Sequence, residues 1–264
     1  MFQGVLTKMM VENNNQVDYF LNFKNDLIHV NQLIDKTIKL KFKGYECLSC
    51  QSNLETYRQG YCKRCFFELP STAQWIMKPE LSKAHLNIEE RNLEYEKSIQ
   101  LKPHIVYLAF SSEIKVGVTR KTQVPFRWID QGAIKAVQIA ELPNRYLAGI
   151  TEVELKKHYS DKTNWREMLK TDSTKIDLET ERINSLKLLP EETLNLCKEQ
   201  SYKEFNINYP VKRHPVNPKS LNIIKQNSFS GKLVGIKGQY LIFDDDTVFN
   251  VRSNEGLVVN IEIN

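Results

Sequence analysis

The sequence lacks any long hydrophobic run. Its apolar stretches, such as residues 105–110, are far too short to span a bilayer. The start of the chain has no basic segment leading into an apolar core and no small-residue cleavage site, so a secretory signal is not expected. These absences predict a soluble, cytoplasmic protein that does not interact with membranes.

The chain also has no strong excess of one charge. Its 37 basic and 32 acidic residues give a formal net charge of +5, and metal-bound thiolates would reduce this excess further. The whole-chain charge therefore gives only weak support for a polyanionic partner. Hydrophobic residues make up 41% and charged residues 26%, which is typical of a globular protein and argues against a disordered or fibrous one. For 264 residues we expect one central domain with smaller modules.

Cysteines are few but closely spaced. Four of the five form two C-x-x-C pairs, and Cys197 stands alone. This usage fits a metal site in a reducing compartment better than a disulfide framework. Two C-x-x-C turns can present four thiolates to one tetrahedral zinc ion. We therefore predict a zinc ribbon with the following ligands: Cys47, Cys50, Cys62 and Cys65.

The alternatives for these four cysteines are an iron site and four unliganded thiols. Gly44 and Gly60 precede the two pairs, where tight turns need a permissive backbone. Because four protein ligands leave no open coordination position, the zinc is expected to be structural and not catalytic. Cys197 is expected to be a packed thiol within a helix.

Basic and aromatic side chains surround the cysteine pairs. Arg58, Lys63 and Arg64 are candidates for contact with nucleic-acid phosphates, and neighbouring rings can stack on bases. The alternative is that the rings pack over the metal site, as a module with a small core requires. We favour this alternative for Phe66 and Phe67 and leave both interpretations open for the basic residues.

Strand patterns occur at both ends of the chain. Short apolar segments occur at 4–6, 19–23 and 37–42, and again at 232–236, 240–243 and 248–251. The asparagines at 13–15 predict a hairpin loop. Because an isolated hairpin is marginal in water, we predict that strands from both ends pack into one β module.

The rest of the chain alternates between strands and helices. Residues 82–100 contain no Gly or Pro and predict a mostly exposed helix. From His104 the order is strand, strand, helix, strand, helix, with the last helix between Pro143 and Tyr159. Residues 171–209 are predicted to be helical, and Pro190 is expected to begin a helix there.

These patterns predict an α+β protein. Its expected segments are N-terminal strands (1–45), a zinc ribbon (46–80), a helical linker (81–103), a central domain (104–170), a helical segment (171–218) and a C-terminal β module (219–264).

The central segment carries a second chemical signal. The triplets Ile105-Val106-Tyr107 and Lys115-Val116-Gly117 lie in its first two strands, Arg127 lies in the first helix, and Glu152 lies in the second. In order and spacing this segment resembles the GIY-YIG nuclease superfamily. The second triplet is similar to the branch that has lysine in place of the second tyrosine. The resemblance implies an αβ domain with a small antiparallel sheet.

The resemblance also implies phosphodiester hydrolysis assisted by Mg²⁺. Glu152 would hold the cation, Arg127 would bind phosphate oxygens, and Tyr107 would position or deprotonate the attacking water. Lys115 replaces the usual second tyrosine, and its cation can contact phosphate but is a poor substitute for a phenol in proton transfer. Arg120 joins the basic candidates for nucleic-acid contact.

Each of these residues also has a structural interpretation. Tyr107 can be a core residue with its hydroxyl at the rim, and Glu152 can pair with Lys156 one turn along the helix. Thr151 and Glu154 can form a capping box, which would begin a shorter helix at Thr151.

Three functions follow from these alternatives. The first is a metal-dependent endonuclease acting on DNA or RNA, with structural zinc and catalytic Mg²⁺. The second is a non-catalytic protein that binds nucleic acid or ribonucleoprotein, and the third is a protein-interaction scaffold with a vestigial site. The combination of ribbon, nuclease-like block and strand-rich tail also resembles a bacterial protein family of unknown function.

Overall fold

The computed structural model describes residues 1–172, 174–196 and 203–264. These residues form helices and several small sheets, so the predicted α+β class is confirmed. Cys197 lies outside the described residues, and its role as a packed thiol stays a prediction. None of the helices in the described ranges is long and apolar enough to cross a membrane.

The strands in chain order are β1 (Phe2–Val5), β2 (Met10–Asn13), β3 (Val17–Phe23), β4 (Asp26–His29), β5 (Thr37–Tyr45), β6 (His104–Phe110), β7 (Ile114–Arg120), β8 (Lys135–Leu142), β9 (Phe205–Asn206), β10 (Lys219–Ser220), β11 (Ser228–Lys237), β12 (Tyr240–Phe243), β13 (Thr247–Asn250) and β14 (Leu257–Ile263). The α-helices are α1 (Lys63–Glu68), α2 (Gln74–Met77), α3 (Leu93–Gln100), α4 (Phe126–Asp130), α5 (Arg145–Leu155), α6 (Trp165–Lys170), α7 (Leu178–Leu186), α8 (Glu191–Leu194) and α9 (Ile223–Gln226). Short 3-10 turns include Pro79–Leu81 and Ala84–Leu86.

The chain divides into two compact units. Unit 1 comprises Met1–Phe67, Leu169–Asp172 and Asn208–Asn264. Unit 2 comprises Glu68–Met168 and Ser173–Ile207. The cysteine pairs therefore belong to unit 1, and the nuclease-like residues belong to unit 2.

Strands from the two ends of the chain share one sheet in unit 1. Its order is β1-β14-β5-β11-β12-β13-β10. β14 pairs antiparallel with both β1 and β5, and β11 joins β5 to β12. The predicted terminal β module is therefore confirmed. The sequence patterns did not identify β14, although it lies inside the sheet.

Alternating side chains explain why β5 can sit inside this sheet. Ile38 and Leu40 are buried, while Lys39 and Lys41 are exposed, so one face of the strand supplies the core. A second sheet of β2, β3 and β4 lies in the same unit. The predicted asparagine loop closes its first hairpin, but the strand before the loop is β2 and not the segment 4–6.

Unit 2 is built around the antiparallel sheet β7-β6-β8-β9. The central strand β6 is buried along nearly its whole length. Val106 and Leu108 form a hydrophobic cluster with Val116 of β7 and with Ala148 and Leu155 of α5. This cluster fixes α5, which carries Glu152, to the sheet.

The predicted exposed helix over 82–100 is wrong in its first half. Helix α3 begins only at Leu93, because the Asn92 side chain caps it by accepting a hydrogen bond from the Tyr95 N–H. The buried Glu96 carboxylate accepts the backbone N–H groups of residues 90–92. These hydrogen bonds hold the preceding loop in a non-helical conformation.

The helices predicted over 171–209 are shorter than expected. Asp177 caps α7, and Pro190 precedes α8 as predicted. The chain then forms β9, which pairs with β8 and was not predicted. The helix expected between Pro143 and Tyr159 is α5, which the Asn144 side chain caps.

Gly149 allows α5 to pack directly on the backbone of the turn Pro79–Leu81. A Cβ at this position would lie 2.3 Å from the Glu80 nitrogen. We expect Gly149→Ala to lower the free energy of unfolding by about 1–2 kcal/mol, since the clash costs about 2–3 kcal/mol and alanine recovers only about 1 kcal/mol of helix propensity. Urea denaturation measures this, with the exposed Val153→Ala on the same helix as a nearly neutral control. A more stable Gly149→Ala variant would show that the close approach is absent.

Candidate metal centre and charged site

The four paired cysteines converge in unit 1. Their Sγ atoms all lie within 4.8 Å of one another, and the Cys50 and Cys62 sulfurs are 3.9 Å apart. A tetrahedron with zinc–sulfur bonds of about 2.3 Å requires sulfur–sulfur distances of about 3.8 Å. The set can therefore hold one metal ion, and its geometry and all-thiol chemistry fit zinc.

Local backbone contacts assemble the two pairs. The Leu48 N–H donates to the Gly60 carbonyl at 2.9 Å, which ties the turn of the first pair to the residues that precede the second. Gly60 has a φ of +76°, and a Cβ there would lie 2.4 Å from the Leu48 side chain. The expected permissive backbone at Gly60 is thus confirmed.

The Cys50 sulfur lies 3.1 Å from the Ser52 hydroxyl. Hydrogen bonds, the largest from Ser52, lower the pKa of Cys50 to about 6, whereas burial and the neighbouring cysteines raise the pKa of Cys65 to about 12. A bound cation would favour the thiolate form of all four side chains. The Cys62 N–H also donates to the Cys47 sulfur at 3.3 Å.

The basic candidates next to this centre lie at the surface. Arg58, Lys63 and Arg64 are all exposed. The Arg58 guanidinium lies 5.5 Å from the centre of the Tyr57 ring, in cation–π geometry. These side chains offer positive charge beside an aromatic ring.

The packing of Phe66 and Phe67 over the metal site stays a prediction, and Phe67 is 53% exposed. Phe66 is half-buried. The rings of Tyr57, Phe66 and Phe67 pack on one another with centroids 5.3–5.6 Å apart. This mutual packing leaves aromatic surface open to solvent next to the cysteines.

The charged site of unit 2 is organised by Tyr107. Strand register places Tyr107 opposite Gly117, and a Cβ on Gly117 would lie 2.6 Å from the tyrosine hydroxyl. Only glycine allows the ring to lie across β7. Lys115 is two residues from Gly117 and therefore lies on the same face of the sheet.

The Tyr107 hydroxyl is buried but fully engaged. It donates to the Gln131 side-chain oxygen at 3.0 Å, and Arg127 of α4 lies near enough to influence its pKa. Burial raises the pKa of Tyr107, the positive charge of Arg127 opposes this, and the negative charge of Glu152 adds to it. Arg127 and Glu152 therefore both act on this hydroxyl, from two different helices.

Lys115 is a buried cation in the same site. Its side chain donates to the Thr163 hydroxyl at 2.7 Å, and the residue is 5% exposed. Burial, together with the nearby charge of Arg127, lowers the pKa of Lys115 to about 7. A bound phosphate would favour the charged form of this lysine.

Glu152 is buried on α5, and its Oε2 atom lies 3.4 Å from the Lys156 nitrogen, so the predicted pairing of these two residues is present. Burial raises the pKa of Glu152, and the charge of Lys156 opposes this effect. The capping box at Thr151 is wrong, because α5 begins at Arg145 and the Thr151 hydroxyl donates to the Leu147 carbonyl inside the helix.

Arg120 lies at the end of β7, where strand register places it opposite His104. It is half-buried. Burial lowers the pKa of His104 to about 4, and the Arg120 charge contributes to this. Arg120 therefore lies three residues beyond Gly117, at the end of β7.

Several charged-site residues were not identified from the sequence, among them Gln131, Arg145 and Glu80. Arg145 is 8% exposed and donates to the carbonyls of Trp75 and Ile76 at 3.1 and 2.7 Å. Burial lowers its pKa to about 10, and the charge of Glu152 opposes this. The only local signal for Arg145 is its position directly after a helix cap.

Removing the metal is expected to unfold the cysteine segment, because one ion replaces core that so few residues cannot build. We expect ~1 zinc equivalent per chain by elemental analysis, and loss of zinc with altered circular dichroism after Cys47→Ser combined with Cys62→Ser. Cys197→Ser, outside the two pairs, should keep its zinc and serves as the control. Folded, carefully prepared protein without zinc would contradict the assignment.

Lys115→Met is expected to stabilise unit 2. The folded state binds fewer protons at Lys115 than the unfolded chain does. The free-energy cost of burying this charged amine is therefore fully present at about pH 7 and below, and it disappears as the pH rises towards about 10. We expect a gain of about 1–2 kcal/mol in the free energy of unfolding at pH 7 and almost none at pH 10. Urea denaturation at both pH values measures this. The exposed Lys121→Met should change little at either pH, and a loss of stability in Lys115→Met would refute the buried-cation assignment.

Comparison with known proteins identifies the family to which the chain belongs. Searches of curated proteins and of solved structures found no match. The likeness to GIY-YIG nucleases and to zinc ribbons is carried by no family match and rests on the residues above. A family described as "Protein of unknown function (DUF2797)" matches residues 35–259. The chain therefore belongs to this family, in agreement with the expected likeness to a family of unknown function.

Proposed function

We propose that the protein binds nucleic acid and that the charged site of unit 2 is a GIY-YIG-like centre for Mg²⁺-dependent cleavage of a phosphodiester bond. The observation that carries the proposal is the convergence on the Tyr107 hydroxyl. The charges of Arg127 and Glu152 both act on its pKa, in opposite directions. They come from two separate helices, α4 and α5, and this supports a common site with Tyr107.

Arg127 and Lys115 are the phosphate-binding residues in this proposal. The guanidinium of Arg127 can donate two hydrogen bonds to phosphate oxygens. Lys115 adds a second positive charge. A bound phosphate would pair with both cations and would favour the charged form of Lys115. The two cations hold the scissile group against Tyr107.

Tyr107 acts as the group that positions the attacking water. Because burial raises its pKa, the phenol stays protonated near neutral pH. Its single proton is donated to Gln131, so its oxygen would accept a hydrogen bond from the water. Arg127 opposes this rise in pKa, which favours transient loss of the proton. Gln131 fixes the orientation of the hydroxyl at 3.0 Å.

Glu152 is the residue that would hold Mg²⁺. Its carboxylate is buried, and its Oε2 atom is paired with the Lys156 ammonium at 3.4 Å, a cation that Mg²⁺ would replace. Carboxylate oxygens are the ligands that Mg²⁺ prefers in proteins. When bound, Mg²⁺ would neutralise the charge that develops on the leaving oxygen.

The cysteine segment has a separate role in the proposal. Zinc held by four thiolates would be structural and would present the exposed Arg58, Lys63 and Arg64 to phosphates. Arg120 would extend nucleic-acid contact along β7. DNA and RNA are both candidates, because none of these groups distinguishes between them.

A second candidate is a non-catalytic protein that binds nucleic acid or ribonucleoprotein, or a scaffold for protein interactions. The contact of Lys156 with Glu152 and the hydrogen bond of Lys115 to Thr163 favour it. Such a site keeps the fold and binds phosphate without metal chemistry. Glu152 separates the two candidates because only the enzyme needs its carboxylate.

For the enzyme, we expect Glu152→Gln to reduce cleavage at least about a hundredfold with nearly unchanged binding, because Glu152 acts through Mg²⁺. Arg127→Ala should weaken binding by about tenfold and reduce cleavage as well. Fluorescence anisotropy and gel assays with single- and double-stranded DNA and RNA, with and without Mg²⁺, measure both.

Glu154→Gln is the control, since it removes the same charge from the same helix at a position paired with Lys157. Binding without cleavage under any metal would support the second candidate. Wild-type protein that neither binds nor cleaves any of these nucleic acids at low salt would disprove both nucleic-acid functions.

A further inference from the structure

A cluster in unit 1 joins an aspartate, a lysine and a histidine. Lys237 lies at the end of β11, and its side chain is fully buried. Its ammonium donates to the Asp172 carboxylate at 2.6 Å and to the Thr171 carbonyl at 2.5 Å. The Nε2 atom of His214 lies 3.2 Å from the other Asp172 oxygen, Oδ2. Two basic side chains therefore share one carboxylate.

The second ring nitrogen of His214 contacts the same short segment of chain. Its Nδ1 atom lies 2.9 Å from the Leu169 carbonyl oxygen. A carbonyl oxygen and an ionised carboxylate only accept hydrogen bonds, so each ring nitrogen must donate one. A neutral imidazole has a single N–H group and can satisfy only one of these acceptors. The two contacts of His214 together therefore require the positively charged imidazolium form.

The charges within the cluster favour this form. The hydrogen bond to Asp172 raises the pKa of His214, and the Leu169 carbonyl adds to the rise, while burial and the charge of Lys237 oppose it. Burial alone would raise the pKa of Asp172, but His214 and Lys237 lower it, so the carboxylate stays ionised. Burial lowers the pKa of Lys237, and the Asp172 charge opposes this.

The other charged or ionisable groups next to the cluster have contacts of their own. The Tyr209 ring faces the Lys237 ammonium, which lies 5.3 Å from the centre of the ring. Arg213 precedes His214 in the chain and pairs with Asp246 at 3.5 Å. Neither of these contacts involves the imidazole ring.

Loss of one ring proton would break one of the two contacts of His214. A hydrogen bond to a carboxylate is stronger than one to a neutral carbonyl, so the remaining N–H would stay with Asp172. The Leu169 carbonyl would then lose its donor at a part-buried position, which is costly. The segment 169–172 would be held less tightly as a result.

We propose that His214 is a pH-sensitive clip, whose imidazolium form holds residues 169–172 in unit 1 and whose deprotonation loosens them. The folded state binds more protons at His214 than the unfolded chain, because its pKa is raised. The stabilisation is therefore fully present below about pH 6.5 and is lost as the pH rises through the higher pKa of the folded state. None of these groups belongs to the charged site of unit 2 or to the cysteine pairs, so this role is separate from nucleic-acid binding.

The test is a pH titration of the isotopically labelled, full-length protein by nuclear magnetic resonance. At about pH 6, both ring nitrogens of His214 should carry a proton, and the ring should titrate with a midpoint above about pH 6.5. The Leu169 carbonyl signal should move with the same midpoint. Asp172→Asn should lower this midpoint, whereas His158→Gln, at an exposed histidine, should leave it unchanged. A ring with a single proton at about pH 6, or a Leu169 signal that does not follow the ring, overturns the inference.

Urea denaturation separates the clip from a purely structural role. Glutamine at 214 cannot become charged, so the stability that it provides does not follow the histidine titration. The midpoint urea concentration of wild type should exceed that of His214→Gln at about pH 6, and this difference should shrink towards zero at about pH 9. His158→Gln serves as the control for replacing an exposed histidine. A difference between wild type and His214→Gln that is the same at both pH values overturns the inference.

Discussion

The contact between the Tyr107 ring and the Cα of Gly117 is the constraint on which the charged site depends. Because no side chain separates them, the phenol crosses β7 and its hydroxyl reaches Gln131. Any larger residue at 117 would push the hydroxyl away from this partner. The glycine that ends the Lys115-Val116-Gly117 triplet is thus explained by packing on tyrosine, independently of any family likeness.

Unit 2 contains charged groups that a purely structural domain has little reason to bury. Three charged side chains are each at most 8% exposed, namely Lys115, Arg145 and Glu152. Burial shifts the pKa of each in the direction that favours its neutral form. Ionised groups in such positions cost stability unless partners complete them. Strong shifts of this kind cluster at functional sites. In the proposed function, phosphate would pair with Lys115 and a divalent ion would pair with Glu152.

Much of this arrangement could be predicted from the sequence where the signal is local. Alternation in β5 and the spacing of the cysteines depend on residues close together in the chain, and both predictions agree with the structure. The helix predicted over 82–100 failed because the buried Glu96 side chain binds the backbone before α3. Glu80 was missed for a related reason. Its backbone packs on α5 at Gly149, a tertiary contact that no pattern within either segment reveals.

We expect the buried Glu152 carboxylate of unit 2 to bind a divalent cation, while a different metal ion binds to the cysteines of unit 1. Anomalous diffraction at the zinc and manganese absorption edges, from a crystal grown with both ions, tests this. Zinc should lie among the four sulfurs and manganese about 2.1 Å from a carboxylate oxygen of Glu152. A crystal with zinc at the cysteines, saturating manganese in solution and no manganese at Glu152 would contradict it.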